Sequence, residues 1–250
     1  MDAVVLAGGK VPEELVLVTP GGERALIELD GVSLLARVLD SLRAAPEIER
    51  IIVVTTPRTL AQLPADVEGL ASGTTLSGNL LAGASAATSS QVLVVTGDIP
   101  LVTGATWSQF LGAVYERDLD AAYPIVKRET CERQFPGGKR TYGALRDGTF
   151  TGGNAFVLPR AHLDTLRDLI EAAYSARKNP FKLANRLGLA FLFKALTKRL
   201  TVADVESKLS LLLGCRGGAI ICEDASIAFD VDKAADLAVA TQVLHARSAA

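Results

Sequence analysis

This chain of 250 residues has few aromatic residues and no large excess of either charge. Aromatic side chains make up 5% of the sequence, so a core has to be built mainly from aliphatic residues, in keeping with a hydrophobic content of 49%. The formal net charge of −2 offers no general basic field to hold a polyanion, which argues against nucleic acid as the main partner. A small phosphorylated ligand, by contrast, needs only a local basic site.

Cysteine pairs and long apolar runs are also lacking. The three cysteines, Cys131, Cys215 and Cys222, form no C-x-x-C pair, so neither a zinc site nor a disulfide framework is predicted. This usage is typical of a reducing compartment, and we expect a cytoplasmic protein. The N-terminus runs straight into an apolar segment without the basic region or cleavage site of a signal peptide. The most apolar helical stretch, residues 187–193, is too short to cross a bilayer, so no transmembrane segment is predicted.

Short aliphatic runs that stop at glycine or proline indicate buried parallel strands. They are DAVVLA (2–7) before Gly8-Gly9, IIVV (51–54) before Pro57, and VLVV (92–95) before Thr96-Gly97-Asp98. Segments with helical spacing of apolar residues lie between them, and this alternation predicts an α/β fold with a Rossmann-like, mostly parallel sheet and helices on both faces. We expect one domain over residues 1–250, with a helical insert at about 160–213.

The second half has a less regular pattern. Residues 122–126 read as a strand followed by a basic loop, and TFTGGNAFVL (149–158) reads as a strand interrupted by two glycines. Residues 219–222 and 227–231 read as two further strands before a closing helix at about 233–245. In sheets of this type the ligand lies outside the carboxyl ends of the strands, which directs attention to the residues that follow each run.

The first strand ends in LAGGK, residues 6–10. Two glycines at a strand end let backbone N–H groups approach a phosphate, and Lys10 can neutralise its charge. A plain turn with a solvated lysine explains the same letters equally well. The stronger phosphate motifs, GxGxxG and GxxxxGK[ST], are absent.

Two acidic segments also end strands. Asp98 in TGDIP directly follows a buried run, where a carboxylate can hold Mg²⁺ together with phosphate oxygens and water. Asp230 and Asp232 in FDVDKAADL stand at alternate positions before the last helix. The alternatives are structural: Asp98 can order a turn before Pro100, and Asp232 can be the N-cap of the closing helix.

Two further segments suggest an acceptor side. The glycines of TGGN mark either a bulge or a close backbone approach to a ligand, and Asn154 can read hydroxyls or a phosphate. Lys139 and Arg140 stand shortly before this segment and can face an anion, although such charges are more often simply solvated.

Taken in order, the segments LAGG, ERALIELDGVSLLARVLDSL, TGDIP, TGGN and DVDKAADL resemble the MobA-like NTP transferases. These have the glycosyltransferase-A-like, nucleotide-diphospho-sugar transferase-like fold, and the resemblance covers residues 2–158 and 219–245. It implies transfer of a nucleoside monophosphate from an NTP to a phosphorylated acceptor of sugar or cofactor type. Mg²⁺ (or Mn²⁺) and release of pyrophosphate are implied with it.

The resemblance also implies roles for individual residues. The nucleotide-binding set is Leu6, Ala7, Gly8, Gly9, Lys10, Ser77, Gly78, Asn79 and Gly97. The catalytic set is Lys10, Arg24 and Asp98; the metal ligands are Asp98 and Asp232, with Asp230 as the fallback for the second. The acceptor side comprises Lys139, Arg140, Gly153 and Asn154.

The chain departs from the family pattern in two places. The loop after Gly9 lacks the usual third glycine and arginine, and Arg24 stands where the family has a lysine. Arginine keeps the charge but adds a planar fork of donors. Two other functions therefore stay open: a metal-dependent glycosyltransferase that uses a nucleotide-sugar, and a nucleotide sensor without turnover.

The insert adds a further alternative. Its segment KLANRLGLAFLFKALTKRL (182–200) has apolar and basic residues at helical spacing. This pattern is typical of a helix that faces the core, or of an amphipathic surface for a membrane face or a lipid-linked acceptor.

Overall fold

The computed structural model describes residues 1–9, 11, 13–19, 22–138, 140–167, 191, 193–194, 197 and 199–248. Within these ranges the chain forms a nine-stranded sheet and a small hairpin. The strands are β1 (Asp2–Leu6), β2 (Glu28–Leu29), β3 (Val32–Ser33), β4 (Arg50–Thr55), β5 (Glu68–Ala71), β6 (Gln91–Thr96), β7 (Ala121–Lys127), β8 (Gly143–Leu145), β9 (Gly148–Gly152), β10 (Ala155–Pro159) and β11 (Gly217–Ile221).

The sheet has the strand order β5-β4-β1-β6-β10-β7-β9-β8, and β11 pairs with β7. β1 lies parallel to both β4 and β6, β5 is parallel to β4, and β11 is parallel to β7. β10 runs antiparallel to β6 and β7, and so opposes the main direction. The sheet is therefore mixed but mostly parallel, which confirms the predicted fold class.

Helices cover both faces of the sheet, as predicted. They are α1 (Leu34–Arg43), α2 (Pro57–Leu60), α3 (Leu76–Ala86), α4 (Gly104–Glu116), α5 (Arg128–Gln134), α6 (Val202–Leu213) and α7 (Ala234–Ser248). Successive side chains of a strand point to opposite faces. Val5 accordingly belongs to the cluster that contains α1 and α4, whereas Val4 packs with Leu80 and Leu81 of α3.

Helix ends match the local sequence signals. Ser33 caps α1, its side chain accepting a hydrogen bond from the amide of Ala36 at 3.1 Å. Thr201 and Asp204 form a capping box at the start of α6. Gly214 ends that helix with a φ of 70°, a left-handed conformation that glycine adopts without steric cost.

Two predicted segments are wrong. Residues 128–134 form α5 rather than a basic loop, because Thr130 and Cys131 are buried beneath a charged outer face. Residues 227–231 do not form a strand; a short 3-10 helix spans Ala225–Ala228 instead. Its start is fixed by Asp224, which accepts a hydrogen bond from the amide of Ser226 at 2.9 Å. The buried apolar residues that suggested a strand therefore fill the core without pairing with a neighbouring strand.

The insert is described only in part. A 3-10 helix spans Arg160–His162, residues 163–167 are helical, and α6 follows at Val202–Leu213, while residues 168–190 lie outside the described ranges. Neither α2 nor β5 was predicted from the sequence. No helix in the described part of the chain combines the length and the apolarity needed to cross a membrane.

Candidate active site

A cavity of about 320 Å³ opens at the carboxyl ends of β1 and β6, against the start of α3. Eight of the predicted site residues line it: Leu6, Ala7, Gly8, Gly9, Arg24, Asn79, Gly97 and Asp98. Lys10 and Lys139 lie outside the described residues. A larger hollow of about 490 Å³ lies beside α1 and α2, but none of the predicted site residues lines it.

Close packing explains the glycines of this cavity. A Cβ atom on Gly8 would approach the Cβ of Ser72 to 2.9 Å, and a Cβ on Gly97 would approach the Cβ of Ala7 to 3.0 Å. The amide of Gly97 donates to the carbonyl oxygen of Leu6 at 3.0 Å, which joins the two strand ends. The amides of Gly8 and Gly9 donate to none of the described residues, and so stay available to a ligand.

An ion triad of Arg24, Asp98 and Asp232 lies at the mouth of the cavity. The Nη1 atom of Arg24 is 2.6 Å from Oδ2 of Asp98 and 2.8 Å from Oδ1 of Asp232. The second aspartate reaches the first because the amide of Val231 donates to the carbonyl oxygen of Asp98 at 3.0 Å. Two carboxylates that lie far apart in the chain thus share one guanidinium nitrogen.

Several polar atoms of this cavity are buried without a partner. They are Nε of Arg24, Oγ1 of Thr96 and Oδ1 of Asp98, three of the five such side-chain atoms in the described part of the chain. Unpaired buried polar atoms are rare in native proteins because each costs free energy comparable to a lost hydrogen bond. The three residues that carry these atoms all line one cavity, which makes this cavity the candidate ligand site.

The electrostatics of the triad follow from burial and mutual charge. Burial favours the neutral form of Arg24, but its hydrogen bonds and attraction to Asp98 and Asp232 outweigh this and raise its pKa above the ordinary value. Burial, together with the negative charge of Asp230, raises the pKa of the Asp232 carboxyl, while Arg24 acts in the opposite direction. The triad therefore keeps a cationic guanidinium beside a carboxylate that is costly to ionise.

Asp230 and Arg140 form a second ion pair beside the triad. Nη1 of Arg140 donates to Oδ1 of Asp230 at 2.6 Å, and its guanidinium lies 4.7 Å from the centre of the Phe229 ring. The neighbouring Asn154 is held by its backbone, since its amide donates to Ile227 and its carbonyl oxygen accepts from Thr96. The predicted acceptor residues Arg140, Gly153 and Asn154 are thus near the junction of β6 and β10, with Arg140 committed to a carboxylate.

The start of α3 contributes residues that the sequence analysis missed. Gly73, Thr74, Thr75 and Leu76 line the cavity, together with Thr96. The side chain of Asn79 accepts from the amide of Gly73 at 2.6 Å and so fixes this segment. The predicted Ser77 and Gly78 instead line a neighbouring hollow with Arg167. The cap of α3 by Thr75 was the signal that could have located this segment.

The residues present fit a divalent cation. Oδ1 of Asp98 is buried without a partner, and carboxylate oxygens are ligands that Mg²⁺ prefers. No cluster of three or more acidic, histidine or cysteine side chains suited to a metal occurs among the described residues. The protein would thus supply two carboxylates, and phosphate and water the rest, as is usual for Mg²⁺ in nucleotide sites. Oδ1 of Asp232 contacts Arg24. The side chain of Asp236 accepts hydrogen bonds from the amides of Asp232 and Lys233, just before α7.

Comparison with known proteins places this geometry in context. The family model described as "MobA-like NTP transferase domain" matches residues 3–184. A structure titled as a hypothetical transferase from Thermus thermophilus has 33% sequence identity and a TM-score of 0.79, with 94% of this chain and 98% of that chain covered. Among curated proteins, no sequence matches the chain.

More distant structures share the fold. A 2-C-methyl-D-erythritol 4-phosphate cytidylyltransferase, also from Thermus thermophilus, has 17% identity and a TM-score of 0.54, covering 98% of this chain and 100% of that one. The CMP:2-keto-3-deoxy-manno-octonic acid synthetase complexed with CTP has 12% identity and a TM-score of 0.62, covering 99% and 100%. At these identities the likeness concerns the fold alone.

Proposed function

Because the chain belongs to the MobA-like NTP transferase family, and is thus a nucleotidyltransferase, we propose that it transfers a nucleoside monophosphate from an NTP to a small phosphorylated acceptor. A phosphate oxygen of the acceptor attacks the α-phosphorus, the bond from that phosphorus to the bridging oxygen breaks, and pyrophosphate leaves. The observation that carries the proposal is that Arg24, Thr96 and Asp98 all line one cavity and each has a buried polar atom without a partner.

The cavity has the size and the donors for a nucleotide. Its volume of about 320 Å³ falls within the range of roughly 300–1,000 Å³ that small-molecule sites have. The free amides of Gly8 and Gly9 point to phosphate binding, because backbone N–H groups at a strand end can approach phosphate oxygens closely. The segment from Gly73 to Leu76 lines the same cavity and would contact the base or ribose.

Arg24 would stabilise the charge that develops during transfer. Its guanidinium already lies at the cavity wall, and its planar fork can bind two phosphate oxygens at once. Charge moves onto the bridging oxygen as pyrophosphate leaves, so a cation fixed beside this oxygen lowers the barrier more than it strengthens ground-state binding.

Asp98 and Asp232 would hold the divalent cation. Such a cation, when bound, neutralises the phosphates and polarises the α-phosphoryl group. Most of the remaining work is positioning, because two anions that repel each other have to be brought into line. The protein group available for the acceptor here is the side chain of Asn154 at the junction of β6 and β10, because the amides of Gly153 and Asn154 already donate to Pro124 and Ile227. An acceptor that is already a phosphate needs no strong general base.

A thermal unfolding assay with ATP, CTP, GTP and UTP, each with and without Mg²⁺, tests the proposal. CTP is tried first, since two proteins of the same fold are titled as a cytidylyltransferase and as a complex with CTP. A ligand at a hundred times its dissociation constant stabilises by about 2.7 kcal/mol, which for this size means a Tm rise of roughly 5–10 °C.

The controls decide between the candidate functions. We expect one NTP to raise Tm with Mg²⁺, and we expect Asp98→Asn to abolish the rise while Asp2→Asn keeps it. Pyrophosphate release in the presence of phosphorylated sugars and alcohols then tests transfer itself. A rise with a nucleotide-sugar but with no NTP would replace the proposal with glycosyl transfer. A rise without turnover for any acceptor would favour a sensor.

A further inference from the structure

We propose that Arg24 is a resident cation that competes with the divalent metal for Asp98 and Asp232, and that the nucleotide removes it. This inference rests on the proposed function, because it assigns a regulation to the same site. The observation is the shared contact: a single atom, Nη1 of Arg24, lies 2.6 Å from one carboxylate and 2.8 Å from the other.

The two cations exclude each other on geometric grounds. Mg²⁺ binds carboxylate oxygens at about 2.0–2.1 Å, so a metal bound to both aspartates has to take the space that Nη1 fills. A guanidinium nitrogen and a divalent cation cannot occupy one position, and their like charges repel at short range. Metal binding therefore requires Arg24 to leave the carboxylates.

The resting triad is incompletely satisfied. Oδ1 of Asp98 and Nε of Arg24 are both buried without a partner. A well-matched arginine–carboxylate pair uses two parallel hydrogen bonds, whereas this contact uses one nitrogen for two carboxylates. Both unpaired atoms gain partners if the guanidinium turns to phosphate oxygens and a cation takes its place.

The movement required is a side-chain rotation. The amide of Arg24 donates to the carbonyl oxygen of Gly9 at 3.4 Å, and a Cβ placed on Gly9 would lie 4.0 Å from Cδ of Arg24. The stem of the arginine thus already lies against the glycines whose amides are free. A phosphate bound there lies within reach of the guanidinium while the backbone stays in place.

The consequence is that metal and nucleotide bind with strong mutual dependence. Metal alone has to displace Arg24 and leave it without a counter-ion. With nucleotide bound, the phosphates accept Arg24, and the carboxylates become free for the cation. Coupling of this kind is commonly worth about 5–150-fold in affinity.

The test measures Mn²⁺ affinity by electron paramagnetic resonance, with the α,β-methylene analogues of the four NTPs as non-cleavable ligands. In Arg24→Met we expect Mn²⁺ alone to bind about tenfold more tightly than in the wild type. Phosphate oxygens ligate the metal in both proteins, so we expect the analogue to enhance Mn²⁺ binding in both, but at least about fivefold less in the variant than in the wild type.

Arg140→Met is the matched control, because it removes a nearby positive charge that is paired with Asp230 rather than with the triad. An equal gain in Mn²⁺ affinity in Arg140→Met would overturn the proposal, since it would reveal a general charge effect. Unchanged or weaker Mn²⁺ binding in folded Arg24→Met would also overturn it. If Arg24→Met does not fold, Arg24→Lys takes its place, with a smaller gain expected since lysine keeps the charge.

These outcomes are separable from failure of the proposed function. Arg24 can compete with the metal, and the nucleotide can relieve that competition, even if no acceptor supports turnover. In that case nucleotidyl transfer to a phosphorylated acceptor fails and the role of Arg24 stands. Conversely, turnover by the wild type with no gain in Mn²⁺ affinity in Arg24→Met would leave the function intact and remove the inference.

Discussion

Two buried aspartates lie at opposite ends of the central strands and satisfy their carboxylates differently. Asp2 begins β1 and is 3% exposed; Asp98 follows β6 and is 9% exposed. Oδ2 of Asp2 accepts hydrogen bonds from the amide of Thr88 at 2.6 Å, the hydroxyl of Thr88 at 3.1 Å and the amide of Ser89 at 3.3 Å. The side chain of Asp98 is hydrogen-bonded to Arg24 through Oδ2, while its Oδ1 atom is buried without a partner.

The difference is the basis for treating Asp2 as a structural carboxylate and for proposing Asp98 as a functional one. At the amino end of the sheet the backbone closes around Asp2, so ionisation is favoured by groups that belong to the fold. At the carboxyl end the strands stop at glycines, and the same type of side chain is left for a ligand to complete. Burial alone does not distinguish the two residues. They differ in the hydrogen bonds that their carboxylate oxygens accept.

The largest effect is expected from Asp98→Asn. The substitution keeps the shape but removes the charge that would hold the cation, and we expect the rate of pyrophosphate release to fall about 10²–10³-fold, the size seen when a group that stabilises a transition state is lost. The free energy of unfolding should change by less than about 1 kcal/mol, because Arg24 keeps Asp232 as a partner. Initial rates and urea unfolding curves measure both, and a variant that loses stability but keeps its rate would reverse the comparison.

Asp2→Asn should show the opposite pattern. Losing the charge weakens three hydrogen bonds in a buried place, and we expect the free energy of unfolding to fall by about 1–2 kcal/mol. For a chain of this length the fall in Tm is roughly 2–8 °C. The rate of pyrophosphate release should stay within about twofold of the wild type. A large loss of rate without a loss of stability would show that the amino end of the sheet communicates with the site.

The stabilisation by Asp2 should depend on pH with a defined sign. Burial acts to raise the pKa of Asp2, but the hydrogen bonds from Thr88 and Ser89 and the charge of Arg50 outweigh it, so the pKa lies below 3.8. A carboxyl with a lowered pKa stabilises the fold above the unfolded value, and this contribution is lost as the pH falls through the folded value. The difference in unfolding free energy between wild type and Asp2→Asn, measured in urea from pH 7 to pH 3, should shrink below pH 3.8. A constant difference would show that ionisation of Asp2 is not what stabilises the fold.

The sequence predicted β1, β4 and β6 well, because these strands are buried on both faces. The run DAVVLA has no alternation to interpret, and it gave β1 and the glycine turn correctly. The segment 227–231 was predicted as a strand from its apolar residues. Such residues indicate burial, whereas the hydrogen bonds of Ile227 and Val231 to Asn154 and Asp98 depend on tertiary structure.

Site residues could be predicted from the sequence where they directly follow a strand. Gly8, Gly97 and Asp98 line one cavity because parallel strands end at one edge of the sheet. The ion pair of Arg140 with Asp230 was not predictable, since 90 positions separate the two and no local pattern links them. That Leu76 and its neighbours line the cavity was missed for a similar reason. A segment of small residues has no pattern that shows what it contacts before the strands are positioned.

The smallest expected effect, and the one opposite in sign to that of Asp2, comes from Asp232→Asn. Burial and the charge of Asp230 raise the pKa of Asp232 above 3.8, so ionising it costs stability. Below pH 3.8 both folded and unfolded chains carry the protonated form and the cost is absent; it grows as the pH rises through the folded pKa and is complete above it. Because the side chain is 51% exposed, we expect Asp232→Asn to raise the free energy of unfolding at pH 7 by only a few tenths of a kcal/mol, and to leave it unchanged near pH 3.

Urea unfolding at the two pH values measures this, and a loss of stability at pH 7 would mean that the bond to Arg24 outweighs the repulsion from Asp230. If the fold is more stable without this carboxylate, its position facing Asp98 across a single guanidinium is explained by the proposed metal site rather than by the stability of the fold.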